Sequence, residues 1–316
     1  MKSRWSAMLG PLGILLLAGS VTASDPVAVL TEFSVATGDI GVRRAGASEW
    51  TPPQPLLALR AGDQVRVAGD GRAVVVFAGG GVQTVSAANS PFAIQAPRAR
   101  SATEQAAGVL GGVVRFLLGH QTEPSYESLS VRGSGPESVR IVSPRETRVL
   151  AGPLTFEWTG PATLRYHLQL LGPQGLLWER HGLARQPLDY PASVPPLQAG
   201  VRYTWALNAP GQPSQRASFD VLSADEAARV AAALAAVRTA TGSDYPPSTG
   251  TLMRAGLLAQ EHLYAAARRE LADALAADPD SAGLRLLLGH VYERTGLTEL
   301  AAREFGEASA LSRPKR

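Results

Sequence analysis

The strongest constraint on the fold is a change of hydrophobic period near residue 223. Before it, residues 154–158, 164–170 and 201–207 alternate apolar and polar side chains one by one. Such alternation buries one face of a β-strand and leaves the other face in water. About seven short strands with Gly and Pro turns between them predict a β-sandwich over residues 139–222.

After this change the chain is predicted to be helical. Ser223 and Glu226 form a capping box, in which the serine caps the first turn and the glutamate reaches back to it. An alanine-rich helix is therefore expected over residues 224–240. Beyond a loop with two prolines, residues 248–281 and 282–315 form two units with a period of about 34 residues.

These two units resemble tetratricopeptide repeats. The motif residues are Ala255, Leu258, Ala267, Leu271, Ala274 and Pro279 in the first unit, and Leu288, Gly289, Tyr292, Ala301, Phe305 and Ala308 in the second. The resemblance implies paired helices, with small residues where they approach closely, and a groove that binds a protein or peptide. The residues expected to contact this partner are Arg254, Leu258, Glu261, Arg285 and Tyr292. Two repeats rarely stand alone, so helix 224–240 or another chain is expected to cover one exposed end.

Residues 30–96 are predicted to form a small β domain. Its clearest element is the segment 61–77, where two runs of strand-forming residues flank a turn at 68–71. An Asp-Gly pair in such a turn is typical of a β-hairpin. Gly79, Gly80 and Gly81 are expected to make a tight strand connection, because no helix or lysine follows to complete a phosphate site.

An ordered series of residues in this domain resembles the FecR-type domain. The series is Gly38-x-Ile40-x-Val42-Arg43-Arg44-Ala45-Gly46, Trp50, Leu59-x-Ala61-Gly62-Asp63-x-Val65-Arg66-Val67, Gly71-Arg72-Ala73-x-Val75-x-Phe77 and Ser90-x-Phe92-x-Ile94. The resemblance implies a periplasmic β domain that contacts a partner. In the regulators that name the family, a transmembrane helix and a cytoplasmic anti-sigma segment precede this domain. Neither has a counterpart in the sequence, so a role in sigma-factor signalling is disfavoured.

The predicted sandwich resembles a bacterial fibronectin type III or immunoglobulin-like domain. The resemblance is carried by Leu154-Thr-Phe-Glu-Trp158, by Tyr166 and by Leu197-x-Ala199-Gly200-x-x-Tyr203-x-Trp205. Its aromatic side chains could instead line a platform for a sugar. Their inward alternation favours the core.

Residues 1–23 have the pattern of a secretory signal peptide. Lys2 and Arg4 precede a short apolar core, and cleavage is expected near Ala23. Ser20 stands where a lipoprotein signal carries its lipidated cysteine, so the product is expected to be periplasmic or secreted and not a lipoprotein. The apolar core is too short to span a bilayer, although an uncleaved anchor is the alternative.

Residues 97–138 are predicted to connect the two β domains. Val109, Val113, Phe116 and Leu117 recur at helical spacing and predict a helix over residues 103–118. Its glycines weaken this prediction. The apolar face is expected to pack between domains, with contact to a membrane surface as the alternative.

The chemistry of the chain favours a protein without a catalytic, cofactor or metal site. Cysteine is absent and the only lysines are Lys2 and Lys315, which removes thiol catalysis, thiolate metal sites and P-loop chemistry. The histidines are His120, His167, His181, His262 and His290. None has a partner at the ligand spacing of His-Glu-x-x-His, and His167 and His290 are expected on exposed surfaces. The net charge of +3 gives no case for a nucleic-acid partner.

The expected whole is a multidomain β plus α protein of the bacterial envelope. The favoured function is a non-catalytic scaffold or adaptor that binds a protein or peptide in the periplasm. The alternative is binding of envelope glycan by the β domains. Whether the chain forms a homo-oligomer, and whether the two β domains pack as one unit, stays open at this point.

Overall fold

The computed structural model describes residues 25–33, 40–95, 104–119, 138–185, 187–242 and 245–313. The predicted signal peptide at 1–23 and residues 97–103 and 120–137 of the predicted connector lie outside these ranges. Within them the protein combines β-sheets and α-helices, as the change of period predicts. None of the described helices has the length and apolar character needed to cross a membrane.

The N-terminal β module, residues 25–95, contains two small sheets. Its strands are β1 (Ala28–Phe33), β2 (Ile40–Arg43), β3 (Leu57–Leu59), β4 (Gln64–Val67), β5 (Ala73–Phe77), β6 (Val82–Val85) and β7 (Phe92–Ala93). One sheet has the order β3-β1-β5-β6 and the other has the order β2-β4-β7. Side chains such as Leu30, Val42, Val65 and Val75 fill the core between them.

The predicted hairpin over residues 61–77 is wrong, although both of its strands exist. Strands β4 and β5 belong to different sheets and do not pair with each other. The hairpin is formed instead by β5 and β6 across the glycine turn, where Phe77 N donates to the Gly81 carbonyl at 3.1 Å. The physical reason lies in β5, which is buried on both faces and pairs with β1 and β6 on its two edges. Neither edge is free for β4.

The middle β module, residues 138–222, contains two further sheets around one core. Its strands are β8 (Arg140–Ser143), β9 (Thr147–Val149), β10 (Thr155–Thr159), β11 (Tyr166–Gly172), β12 (Gly175–Leu183), β13 (Leu188–Asp189), β14 (Arg202–Asn208) and β15 (Gln215–Val221). The sheets have the orders β13-β10-β8 and β12-β11-β14-β15-β9. Phe156, Trp158, Tyr166, Tyr203 and Trp205 are buried between them. The prediction that these aromatic side chains are core residues is confirmed.

The helices are α1 (Glu104–Gly119), α2 (Ala224–Ala240), α3 (Pro247–Gln260), α4 (Tyr264–Ala277), α5 (Ala282–Arg294) and α6 (Thr298–Leu311). Helix α1 is the helix predicted in the connector. The capping box predicted at the start of α2 is present, because Ser223 Oγ accepts from Glu226 N and the Glu226 carboxylate accepts from Ser223 N. Helices α3 and α4 pack as one pair and α5 and α6 as the next.

One apolar core joins the helices to the N-terminal β module. Leu110, Val113 and Leu117 of α1 lie in the same cluster as Val29 of β1 and Val76 of β5. The expectation that the apolar face of α1 packs between domains is therefore confirmed. Helix α2 packs against α1 and α3, so it covers one end of the paired helices as expected.

The middle β module has its own core, and several of its contacts with the helices are polar. Arg148 N donates to the His262 carbonyl at 2.9 Å, in the turn between α3 and α4. Arg145 Nε donates to the Thr295 carbonyl at 2.7 Å, and Arg140 pairs with Glu299 at 2.7 Å. These contacts fix the position of the module on the helices without merging the two cores.

Glu226 contributes to this interface in a way that depends on pH. Its carboxylate accepts hydrogen bonds from Ser223 N at 3.0 Å and from Ser223 Oγ at 2.8 Å, and it pairs with Arg148. The Ser223 hydrogen bonds, with a smaller contribution from Arg148, lower the pKa of Glu226 from 4.5 to about 2. Because the folded pKa lies below the unfolded one, the stabilisation is complete above about pH 5 and disappears as the pH falls toward 2.

Replacing Glu226 with glutamine should therefore lower the melting temperature at neutral pH. The difference from the wild type should shrink as the pH falls from about 4.5 to about 2, because the wild-type carboxylate becomes protonated there. Thermal melts across this pH range measure the effect. The control is Asp273→Asn, which neutralises an exposed carboxylate of α4. A Glu226→Gln difference that stays constant with pH would contradict the prediction.

Candidate functional site

A cleft between the modules, which we call the interdomain cleft, is open to a ligand. It lies between the N-terminal β module and the first residues of α3 and α5, and its volume is about 360 Å³. It is lined by Thr31, Glu32, Phe33, Arg72, Ser248, Asp278, Asp280, Ser281, Ala282, Gly283, Glu307, Ala310, Leu311 and Arg313. A neighbouring cavity of about 670 Å³ shares Arg72, Ser248 and Asp278 with it.

A polar network holds one wall of the interdomain cleft in place. Glu32 on β1 accepts a hydrogen bond from Ser248 Oγ at 2.8 Å and another from the Thr249 hydroxyl. Thr31 and Thr249 are in hydrogen-bond contact at 3.2 Å, and Arg72 lies 3.8 Å from Glu32. Helix α3 begins after Pro246 without a side-chain cap, so the Glu32 carboxylate supplies the negative charge that a helix N-terminus favours.

The remaining charges of the interdomain cleft are predominantly negative. Its described lining residues carry four carboxylates and two guanidinium groups. Glu32 is engaged by the network, and Asp278, Asp280 and Glu307 add negative charge on the helical side. Phe33 and Leu311 contribute apolar surface beside them. The cleft is therefore suited to a ligand that combines positive charge with an apolar part.

The five residues predicted to contact a partner do not form an open groove. Arg254 pairs with Glu270, and Arg285 pairs with Glu304, each at 3.0 Å. The first pair joins α3 to α4, and the second pair joins α5 to α6. The remaining three predicted contacts are Leu258, which is 3% exposed, Tyr292, which is 8% exposed, and Glu261, which is half-buried at the end of α3. Burial also raises the pKa of the Tyr292 hydroxyl.

Helix α1 packs directly against α3. A Cβ atom at Gly256 would lie only 2.9 Å from Val113 Cγ1, so the two helices are in direct contact. The repeat pattern gives no sign of this arrangement, because α1 lies more than a hundred residues earlier in the chain. The helical spacing of its apolar residues was the available signal.

His290 differs from its predicted position, whereas His167 lies on the outward-facing side of β11 as predicted. His290 is 5% exposed and its ring packs edge-to-face on Phe305, so the expectation of a surface residue is wrong. His167, Glu179 and His181 lie together on strands β11 and β12, and each offers a donor atom within 4.8 Å of the others. The hydrogen bond from His167 is the main reason that the pKa of Glu179 is lowered.

The sequence motif His-Glu-x-x-His does not predict this cluster, because that motif belongs to a helix. On a helix, ligands recur three or four residues apart, whereas on a strand they recur every second residue. Glu179-x-His181 in a segment of period two was the signal that could have found it. The third member, His167, comes from the neighbouring strand.

Comparison with known proteins gives no family for this chain. No protein-family model matches it, and no curated protein matches it. The resemblances to FecR-type, fibronectin-like and tetratricopeptide domains therefore rest on the sequence motifs alone.

Proposed function

We propose that this protein is an exported, non-catalytic scaffold of the bacterial envelope that binds a protein partner. In this proposal residues 30–96 are a FecR-type domain, residues 139–222 a fibronectin-like sandwich and residues 248–315 two tetratricopeptide-like repeats. Export is supported by the signal-peptide pattern at 1–23. Helix α1 and strand β1 share one apolar core with helices α2 to α6, and this shared core supports a rigid scaffold.

The observation that carries the proposal is the interdomain cleft, which an extended peptide segment with a basic side chain would fit. Asp278, Asp280 and Glu307 lie along its helical side and provide partners for a lysine or arginine. Phe33 and Leu311 provide apolar contact for the stem of such a side chain. This site replaces the groove that the repeat motifs predict at Leu258 and Tyr292.

Glycan binding by the β modules gains no support from the aromatic residues. Trp205 and its neighbours in the middle module are buried. Trp50 in the N-terminal module has the guanidinium of Arg43 at 4.7 Å and that of Arg66 at 4.8 Å from its ring. Rings covered in this way do not offer a free face for stacking on a sugar.

A charge reversal in the interdomain cleft tests the proposal. The mature protein from Ser24 onward serves as bait in an affinity pull-down from the native envelope. The variants Asp280→Arg and Asp273→Arg are used as bait in parallel. Asp280 lines the cleft, whereas Asp273 is an exposed aspartate of α4 outside it. Both variants change the net charge equally, so a general electrostatic effect would alter both.

We expect Asp280→Arg to reduce recovery of specific proteins by at least about tenfold, a cost of about 1.4 kcal/mol, while Asp273→Arg leaves recovery unchanged. Peptide mapping of the recovered proteins should then identify a basic segment that binds the isolated wild-type protein. Equal recovery by both variants, or recovery of glycan alone, would show that this cleft is not the binding site.

A further inference from the structure

Three side chains on the outer face of the middle β module meet in a geometry that the proposed function does not use. Glu179 and His181 are two residues apart on β12, so their side chains project from the same face of the strand. His167 lies on β11, which pairs antiparallel with β12. The rings of His167 and His181 are stacked, with centroids 3.7 Å apart and an interplanar angle of 16°.

The donor atoms of these side chains are spaced as metal ligands are. His167 Nε2 lies 3.0 Å from Glu179 Oε2, and His181 Nε2 lies 3.5 Å from the same oxygen. A tetrahedral ion with bonds of about 2.0–2.1 Å places its ligand atoms about 3.3 Å apart. The two observed separations bracket this value. The stacked rings must turn away from each other for both nitrogens to point at one ion, which the exposure of the His181 side chain permits.

We propose that His167, Glu179 and His181 bind a divalent transition-metal ion, with zinc as the ion best matched to the site. Two imidazole nitrogens and one carboxylate oxygen are ligands typical of zinc, and they disfavour calcium and magnesium, which take oxygen ligands. This inference is independent of the interdomain cleft, because it concerns a different module and a different ligand.

The surroundings of the three ligands favour an open site. Gln169 Nε2 donates to Glu179 Oε2 at 3.4 Å and helps to orient the carboxylate. The side chain of His181 is 68% exposed and that of Glu179 is 39% exposed. Three protein ligands on a surface leave at least one coordination position for water or for a donor from another molecule.

The test is zinc binding by the purified, tag-free, full mature chain. Equilibrium dialysis with ZnCl₂ should give one zinc ion per chain, and Co²⁺ as a substitute should give the visible absorption of a four-coordinate complex. His181→Ala and Glu179→Gln should each weaken zinc binding by at least about tenfold, as the loss of a ligand requires. Neither side chain belongs to the apolar core of the module, so neither change removes a core contact.

A matched control removes a histidine elsewhere. His262→Asn is suitable, because His262 has a φ of +61° and asparagine tolerates this left-handed conformation. The control should bind zinc as the wild type does, and circular dichroism should show that all variants keep the fold. Absence of saturable binding by the wild type below about 100 µM zinc, or equal binding by His181→Ala and Glu179→Gln, would overturn the proposal.

Discussion

Replacing Trp205 with alanine should lower the free energy of unfolding of the middle β module by about 3–5 kcal/mol. Trp205 is fully buried, and its ring packs edge-to-face on Phe156 with a centroid distance of 4.9 Å. Its Nε1 donates to the Pro144 carbonyl at 2.7 Å. The substitution therefore leaves a cavity and a buried carbonyl that has lost this donor. Urea denaturation monitored by near-UV circular dichroism measures the change.

The matched control is Trp178→Ala in the same sheet. Trp178 lies on the edge strand β12 and is only partly buried, although its ring also lies near Phe156, at 6.0 Å. Trp178→Ala should lower the free energy of unfolding clearly less than Trp205→Ala, because water can fill part of the space that the Trp178 ring leaves. Equal destabilisation by the two substitutions would contradict the structure's assignment of Trp205 to the centre of the core.

The separate core of the middle β module sets how far the effect of Trp205→Ala spreads. Hydrogen exchange should increase in β11, β14 and β15, which surround Trp205. It should change little in β1 and α3, because these elements share the other apolar core. An equal increase throughout the chain would show that the polar contacts at the interface make the whole protein one cooperative unit.

The hydrophobic period and the capping box predicted where strands and helices form. They did not predict which strands pair with each other. The alternation at residues 154–158 and the Ser223 capping box are local signals, and both appear in the structure as expected. Strand pairing depends on the whole sheet. The Asp-Gly turn after β4 leads into a strand whose two edges are already occupied, so the local hairpin signal failed.

Gly111 of α1 also shows that local sequence signals do not reveal tertiary contacts. Gly111 weakens the helix prediction by its low propensity, yet a Cβ atom there would lie 2.7 Å from the Ala78 carbonyl oxygen. The residue is small because the helix lies directly against the N-terminal β module. Only the tertiary structure supplies this reason. The interdomain cleft also depends on contacts between distant segments, such as Glu32 with Ser248.

Replacing Gly289 with valine should destabilise the helical region by about 2–3 kcal/mol, near the upper end for overpacking. A Cβ atom at Gly289 would lie 2.4 Å from Phe305 Cε1 and 2.6 Å from Cδ1, both distances too short for carbon atoms. The Phe305 ring is buried and also contacts His290, so it has little room to move. Thermal and urea unfolding, monitored by the helical signal in circular dichroism, measure the loss of stability.

Gly306→Val is the matched control on the neighbouring helix α6. Apart from its chain neighbours and the nearby backbone of α6, no heavy atom would lie within 4 Å of a Cβ atom at Gly306, and the residue is exposed. Because valine is a slightly better helix former than glycine, this variant should equal or slightly exceed the wild type in stability. If Gly306→Val were as destabilising as Gly289→Val, the effect would belong to valine in a helix and not to the contact with Phe305.

A double-mutant cycle separates the steric contact from general disruption of the helix. Phe305→Ala alone should cost about 3–5 kcal/mol, because it empties part of the shared core. In the double variant with Gly289→Val, the added valine methyl groups occupy space that the ring has left. The combined loss should therefore be clearly smaller than the sum of the single losses. Additive losses would mean that Gly289 and Phe305 act independently. Because β1 shares this core, hydrogen exchange in Gly289→Val should also increase in β1, in contrast to Trp205→Ala.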